Sequence, residues 1–362
     1  MAIAAAMLAA PAAAAATTSQ EAVAFLNQQR AANGIPAAIA FDQRRTTGCH
    51  NHNRYMEQNG LGHGEDPSKP GFTPEGNDYS NSGEVLAEGG IVFTAISNPW
   101  DAAPLHQTLL FHPSVNSAGY DEDGGFACMR FGFDFSQSGA PAYYAFTSDS
   151  GRSNVPRVEV VQGEAPYAPQ EAVGIKQGVP TGPDVLFFTT GVSSDHAVPG
   201  SVSLNGPSGP VEVKLVDSTT PAPDGSGPIF QTGGDLIPVQ PLEPLAHYDA
   251  AVTWEDGNGA RMRQAVSFDT AGRAATLTLS LSKRLSRTRR ATLMVPAAAI
   301  GQRAAVTLER RSGHHVTTKR MTLKHSQAIA VPRGAFTVTV KVATFSGGDT
   351  RYTVKPVRRS YR

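Results

Sequence analysis

Thr18–Gly34, TSQEAVAFLNQQRAANG, and Phe126–Phe135, FACMRFGFDF, are the two stretches on which the fold class turns. In the first, Ala22, Phe25 and Leu26 fall on one helical face. Thr18 and Glu21, three residues on, form a capping box, and Gly34 stops the run. A helix is therefore predicted over Gln20–Asn33. The second stretch alternates in strand fashion. Between the two, Cys49, His52, Tyr55 and Met56 recur at helical spacing, predicting a second helix around Cys49–Gln58. Gly60–Asp78 is rich in Gly, Pro and Asp and reads as a long surface loop. Trp100–Leu110 reads as a third helix, with Leu105, Leu109 and Leu110 buried. Tyr143–Thr147 reads as a second strand. Helices first and strands last predict an α+β or three-layer domain rather than an alternating βα chain.

Past about Ser153 the texture changes. Short apolar runs (VLFF, GSVSL, VEVKLV, YDAAVTW, AVSF) stand between Pro, Gly, Asp and Ser clusters, the pattern of a β-sandwich. A third stretch repeats it with basic loops: ATLTLSLS, ATLMV, AAVTLE, AIAVP, FTVTVKV, YTVKPV. Boundaries are placed near Asn154 and Ala271, giving residues 17–154, 155–271 and 272–362. The 362 residues fit two or three domains. With 36 Gly, 26 Pro and 17% charged residues, a long coiled coil or helical bundle is excluded. With 40% hydrophobic residues, so is a chain disordered throughout.

A formal net charge of zero hides an asymmetry. Arg273–Arg362 holds 19 Lys/Arg against Glu309 and Asp349, a net of +17, so the first 272 residues carry −17. Such a split suggests separately built modules, one able to face an anionic polymer. Residues 2–16, AIAAAMLAAPAAAAA, read as a signal-peptide core with an A-x-A cleavage pattern, although no Lys or Arg precedes Arg30. The run is shorter than the ~20 apolar residues needed to cross a bilayer. No other segment could span one.

Cys49 and Cys128 suit an exported protein with one disulfide, against the alternative of two unpaired buried thiols. No CxxC pair exists, so a structural thiolate zinc site is excluded. HExxH, GxSxG, GxxxxGK[ST] and GxGxxG are all missing. Ser193, Asp195 and His196 are sequence neighbours in a loop, not partners placed by a fold. His50, His52, His63, His106 and His112 fall in the first region, with Glu65, Asp66, Glu84, Glu88 and Asp101 as acidic candidates. His50, His52 and His112 read as structural or exposed, His112 as a cation meeting a helix dipole before Pro113. Glu65 and Asp66 read as solvated loop charge.

Several of these residues form an order that resembles the CAP superfamily (cysteine-rich secretory, antigen 5 and pathogenesis-related 1 proteins) in its bacterial SCP-like form. Leu26-Asn27, Arg30, Gly34-Ile35-Pro36 and Asp42 resemble the family's opening. His52 and Met56 resemble its second-helix His…Met, and His63 stands where the first cleft histidine is expected. Gly83-Glu84-Val85-Leu86 resembles Gly-Glu-Asn-Ile, and Trp100, Pro104 and His106 match the Trp-x-x-x-Pro-x-His step. The resemblance covers about Ser19 to Ser150. It implies an N-terminal α-β-α sandwich with a cleft, here followed by two all-β immunoglobulin/fibronectin-like sandwich modules. It also implies that His63 and His106 line the cleft and can hold a divalent metal such as Zn2+, with Glu84 as the first glutamate. The second family glutamate is missing; Asp101 is the stand-in. The Asn of Gly-Glu-Asn-Ile is also lost.

The expectation is therefore an exported protein, displayed at the cell envelope or released, whose cleft binds a small ligand or divalent metal without catalysis. Two rivals stand beside it. One is a metal-assisted hydrolase of cell-wall material with Glu84 as general base. The other is adhesion to an anionic envelope polymer through LSKRLSRTRR (Leu281–Arg290), ERRSGHHVTTKR (Glu309–Arg320) and KPVRRSYR (Lys355–Arg362). Nucleic acid is disfavoured, because no aromatic stacking residues are interleaved with the charge.

Overall fold

The computed structural model describes residues 17–361 except 36–37, 79–82, 90–92, 94–97, 135–141, 148–150, 165 and 311–314. The proposed export run at residues 2–16 lies outside the described residues. Helix α1 (Ser19–Ala32) opens on the capping box: Glu21 N donates to Thr18 Oγ1 and Thr18 N to the Glu21 carboxylate. Strand β1 (Ala40–Phe41) follows, then α2 (Gln43–Asn59), capped by Asp42. After α3 (Pro74–Asn77) come β2 (Gly83–Glu88), α4 (Pro104–Leu110), β3 (Val115–Asp123) and β4 (Phe126–Phe133). The four strands form one sheet in the order β1-β3-β4-β2, with β1 parallel to β3 and the rest antiparallel. Helix α2 packs on β3 and β4. It sits so close that a Cβ at Gly119 would overlap the backbone at Thr46. The disulfide Cys49–Cys128 ties that helix to β4.

The expected architecture needs correction. The chain is predominantly β, with 25 strands and five α-helices among the described residues, and an α-β-α sandwich does not describe it. Only α1 and α2 exceed two turns. The third helix begins at Pro104 rather than Trp100, with no side-chain cap, and ends at Leu110, so it is seven residues long. The residue before a proline is pushed out of the helical region, which bars extension through His112 and Pro113.

Strand β5 (Ala142–Phe146) lies before the expected boundary at 154 but joins the sheet beyond it. Next come β6 (Glu159–Val160), α5 (Pro169–Ala172), β7 (Pro180–Thr181), β8 (Val185–Thr190), β9 (Asp195–Ala197), β10 (Ser203–Gly206), β11 (Gly209–Pro210), β12 (Val213–Asp217), β13 (Gly234–Pro238), β14 (His247–Asp256) and β15 (Arg261–Asp269). One sheet runs β12-β13-β8-β5. The other runs β11-β10-β14-β15, with β9 on β14. They enclose a core of Val185, Phe187, Leu236, Val252, Trp254 and Phe268, a sandwich-like arrangement. The opposite face of the first sheet is buried too. Leu186, Val216 and Ile237 enter the same core as Leu26, Val85, Trp100 and Phe131 of the N-terminal region. Successive strand residues point to opposite faces, so the unbroken apolar run VLFF serves two cores at once.

The last region is built apart. It comprises β16 (Arg273–Thr278), β17 (Ser280–Leu281), β18 (Arg290–Met294), β19 (Arg303–Arg310), β20 (Val316–Thr322), β21 (Ser326–Ala330), β22 (Phe336–Val342), β23 (Phe345–Gly347), β24 (Thr350–Lys355) and β25 (Val357–Tyr361). Three small sheets, β16-β24-β23, β17-β18-β21 and β20-β19-β22-β25, surround a core drawn only from residues 277–361. Strand β19 alternates cleanly, with Ala304 and Val306 inward and Arg303 and Ala305 outward. Among the described residues no helix is long and apolar enough to cross a membrane.

Candidate functional site

The register of β2 on β4 places Glu84 directly opposite Arg130. Both side chains are buried, at 2% exposure each. Arg130 Nε donates to Glu84 Oε2 at 2.5 Å, and its other nitrogens donate to the carbonyls of Glu75 (2.9 Å) and Gly76 (2.5 Å). One guanidinium thus anchors the glutamate and the turn at α3. The free Oε1 of Glu84 lies 3.0 Å from His63 Nδ1.

His63 rides on the Gly60–Asp78 segment, which is held from beneath. Glu65, read from sequence as solvated, is instead buried. Its Oε2 accepts Thr73 N at 2.8 Å, its own N–H donates to Asn77 Oδ1 at 2.8 Å, and its Oε1 lies 3.1 Å from His52 Nδ1. A Cβ at Gly76 would overlap that carboxylate. His52, fully buried on α2, also directs Nε2 at the Gly62 carbonyl, 3.0 Å away. Asp66, by contrast, is solvent-exposed, where the Ser68 hydrogen bonds hold its carboxyl below the usual range.

Burial alone would raise the Glu84 carboxyl. The His63 hydrogen bond and the charges of Arg130 and His52 outweigh it and hold Glu84 below the ordinary glutamate range. Glu84 is therefore a fixed anion that orients His63. With Nδ1 bonded to Glu84, the His63 ring presents Nε2 outward from a side chain that is 43% exposed.

His106 is built the same way on a partner the sequence reading missed. Its Nδ1 lies 2.7 Å from Glu164 Oε1, and its backbone N–H donates to the same oxygen at 2.9 Å. Glu164 belongs to the stretch assigned to the next module. Asp101, the stand-in for the second family glutamate, accepts Gln107 Nε2 at 2.9 Å and lies in the field of Glu159 and Asp184. The structure thus brings His63 to Glu84 and His106 to Glu164, and turns Asp101 toward a different acidic group. Among the described residues, no three His, Cys, Asp or Glu side chains are gathered as a metal-holding group.

His50 lies 3.4 Å from Asp121 near the surface. His112 departs from its reading as a dipole-facing cation. It packs edge-on against Phe133 and Phe188, and its Nδ1 accepts Ser114 N at 3.1 Å. Burial, with the nearby Arg30 charge, pushes it down to about 4. The carbonyls of Leu110 and His112 at the end of α4 are instead satisfied by Arg30 Nη1, at 2.9 and 3.0 Å. Arg130 carried a signal in the sequence: a lone cation inside the apolar run FACMRF is almost never fully buried without a partner. Glu164 carried none, because its pairing with His106 is purely tertiary.

No family model matches the chain, and no curated protein matches it. Among solved structures, a tetra-tandem repeat from the extending region of a large adhesion protein aligns at 16% identity and a TM-score of 0.23. That alignment covers 68% of this chain and 55% of the other, so it spans about half the length of that structure. A stretch of titin domains aligns at 7% identity and a TM-score of 0.20, covering 66% and 82%. Likenesses at these scores carry no argument about fold or function.

Proposed function

We propose that the protein is an exported, non-enzymatic binding protein whose recognition element is His63 braced by Glu84. One observation carries the reading: a half-exposed imidazole whose Nδ1 is engaged by a buried, ion-paired carboxylate. A carboxylate on one ring nitrogen fixes the tautomer and makes the other nitrogen a better donor to a metal or acceptor of a ligand proton. Of the motif order that resembles CAP proteins, this pair is the part on which the reading rests. The disulfide agrees with an oxidising compartment.

The donor set fits a weakly held, exchangeable divalent ion or small ligand rather than a catalytic zinc, which needs three protein ligands. The hydrolase rival is weakened by Glu84 itself. A carboxylate locked to Arg130 and held below its usual range is a poor general base. Zinc titration calorimetry of the full chain tests the reading. The parent is expected to bind, and His63→Ala to lose the binding. Undiminished binding by His63→Ala would refute it.

A second reading concerns the basic module. The outward face of β20-β19-β22-β25 aligns Arg320 and Lys341 across Ala305, and places Arg358 opposite Thr339 in the next row. Such a face suits an anionic envelope polymer by electrostatics. Salt-sensitive retention on an anionic polysaccharide matrix, lost in an Arg320→Glu/Lys341→Glu/Arg358→Glu variant, is the expected result.

A further inference from the structure

Between β17 and β18, residues 282–289 meet the end of β25 round a cleft of about 470 Å3. Its lining includes Lys283, Arg284, Ser286, Arg287, Arg289 and Tyr361, and no acidic residue. The loop is anchored at several points. Leu285 packs against the core of the basic region, while its neighbours Arg284 and Ser286 stay exposed. Ser282 Oγ donates to the Arg284 carbonyl at 2.9 Å and accepts Thr292 N at 3.0 Å. Tyr361 Oη donates to the Ser282 carbonyl at 2.8 Å. Ser286 N donates to the Arg290 carbonyl, and Arg290 N returns to Ser286 Oγ at 3.1 Å. Arg289 turns the chain at φ 53°, in the left-handed region that non-glycine residues rarely adopt. Its guanidinium donates to the carbonyls of Pro332, at 2.9 Å from Nη2, and Gly334, at 3.0 Å.

Arg289 is thus spent on holding the loop, and the other three cations are not spent on anything. The two acids of this region are engaged elsewhere, Glu309 with Arg358 and Asp349 with Arg157. Among the described residues, the side chains of Lys283, Arg284 and Arg287 make no ion pair and no hydrogen bond. Like charges gathered round one cleft focus their field on whatever enters it. The charge density limits what fits. A phosphate monoester carries roughly −1.5 to −2 and three strong acceptor oxygens, so two phosphoryl groups neutralise the four cations, where four carboxylates would be needed. The guanidinium fork also matches phosphate oxygens in pairs.

We infer that this cleft is a binding site for phosphate groups, carried either by a free condensed phosphate or as esters on a polymer. Arg284 and Arg287 take the phosphoryl oxygens, Lys283 adds a point charge and Arg289 positions the loop. The site goes beyond the sheet-face reading, whose cations Arg320 and Lys341 stand in another row of the unit, and it is independent of the His63–Glu84 reading.

The test titrates sodium tripolyphosphate into the full chain by calorimetry at about 0.15 M NaCl, where distant surface charges are screened. One tripolyphosphate is expected to bind. Arg284→Gln/Arg287→Gln should weaken it at least about tenfold, since each lost charged hydrogen bond is worth that much. Arg320→Gln/Lys341→Gln removes the same charge from the sheet face and should leave the affinity within about threefold. A second arm compares the salt that elutes the protein from phosphocellulose and from carboxymethyl cellulose. Later elution from phosphocellulose, lost in Arg284→Gln/Arg287→Gln, would assign polymer-borne esters as the source; tripolyphosphate binding without that difference would assign the free condensed anion. A parent that gives no heat with tripolyphosphate would overturn the inference. So would a cleft variant that binds like the parent, or an equal loss in both variants, which would reduce the effect to bulk charge. Failure of the sheet-face variant on anionic polysaccharide would leave these outcomes unchanged.

Discussion

Strands β8 and β19 have similar lengths and opposite lessons. In β8, Leu186 faces the N-terminal core while Val185 and Phe187 face the middle one, so the strand is apolar on both sides. In β19, Ala304 and Val306 face one core while Arg303 and Ala305 face solvent. A strand buried on both faces reads as a continuous apolar run, and one with a solvated face alternates. The difference marks how the regions are joined. The N-terminal and middle regions share a sheet, through β5, and a core. The basic region shares neither, and touches the rest through contacts such as Arg157–Asp349 and Arg351 Nη1 to the Leu245 carbonyl. Two cooperative units are therefore expected, divided near residue 271.

The strongest challenge to that division is a matched pair of cavities. Ile237→Ala and Leu293→Ala each remove a fully buried side chain and should each cost about 2–5 kcal/mol. Calorimetry should show the first lowering the melting of the large unit alone and the second that of the basic unit alone. A single transition shifted by both would break the comparison. The disulfide comes next: Cys49→Ser/Cys128→Ser should destabilise the large unit by about 2–4 kcal/mol and leave the basic unit unmoved, as measured by denaturant unfolding.

Acid should also separate the units. In the unfolded chain His112 titrates near its ordinary value of 6.5, and in the folded protein at about 4. The folded state rejects the proton, so this contribution is full above pH 6.5 and is lost as pH falls toward 4. The loss is on the order of 2–3 kcal/mol, reduced for partial solvent access. His112→Gln should flatten that window in the large unit, and pH-dependent unfolding curves would show it. The smallest effect is expected at the seam: Asp349→Ala breaks an exposed pair with Arg157 and should change stability by less than about 1 kcal/mol. A larger change would mean that the two units are coupled.

Much of the local structure was legible. The Thr18–Glu21 capping box and the helical face of Cys49–Met56 follow from short-range spacing, whereas the bridge between Cys49 and Cys128, 79 residues apart, is one of two readings that the cysteine count leaves open. The proportion of strand was underweighted because the helical signals cluster in the first third of the chain. Tyr143–Thr147 was recognisable as a strand, but nothing in a pattern of alternation says which sheet a strand will join. The site was half visible. The motif order puts His63, Glu84 and His106 in one cleft; in the fold His63 lies against Glu84, whereas His106 meets Glu164 across the expected boundary. Glu65, Glu159, Asp184 and Asp235 are residue types normally found in water, so no local rule marks them as buried.

The basic unit closes with β16 parallel to β24, Arg273 beside Thr350 and Thr278 beside Lys355. During synthesis at ~5–20 residues per second, β16 waits several seconds for that partner. Throughout the wait its backbone is an open edge, able to pair with a neighbouring nascent chain. The cations that follow it, Lys283, Arg284, Arg287, Arg289 and Arg290, are already in place by then. Like charge near the same edge in every copy disfavours such pairing until the proper strand arrives.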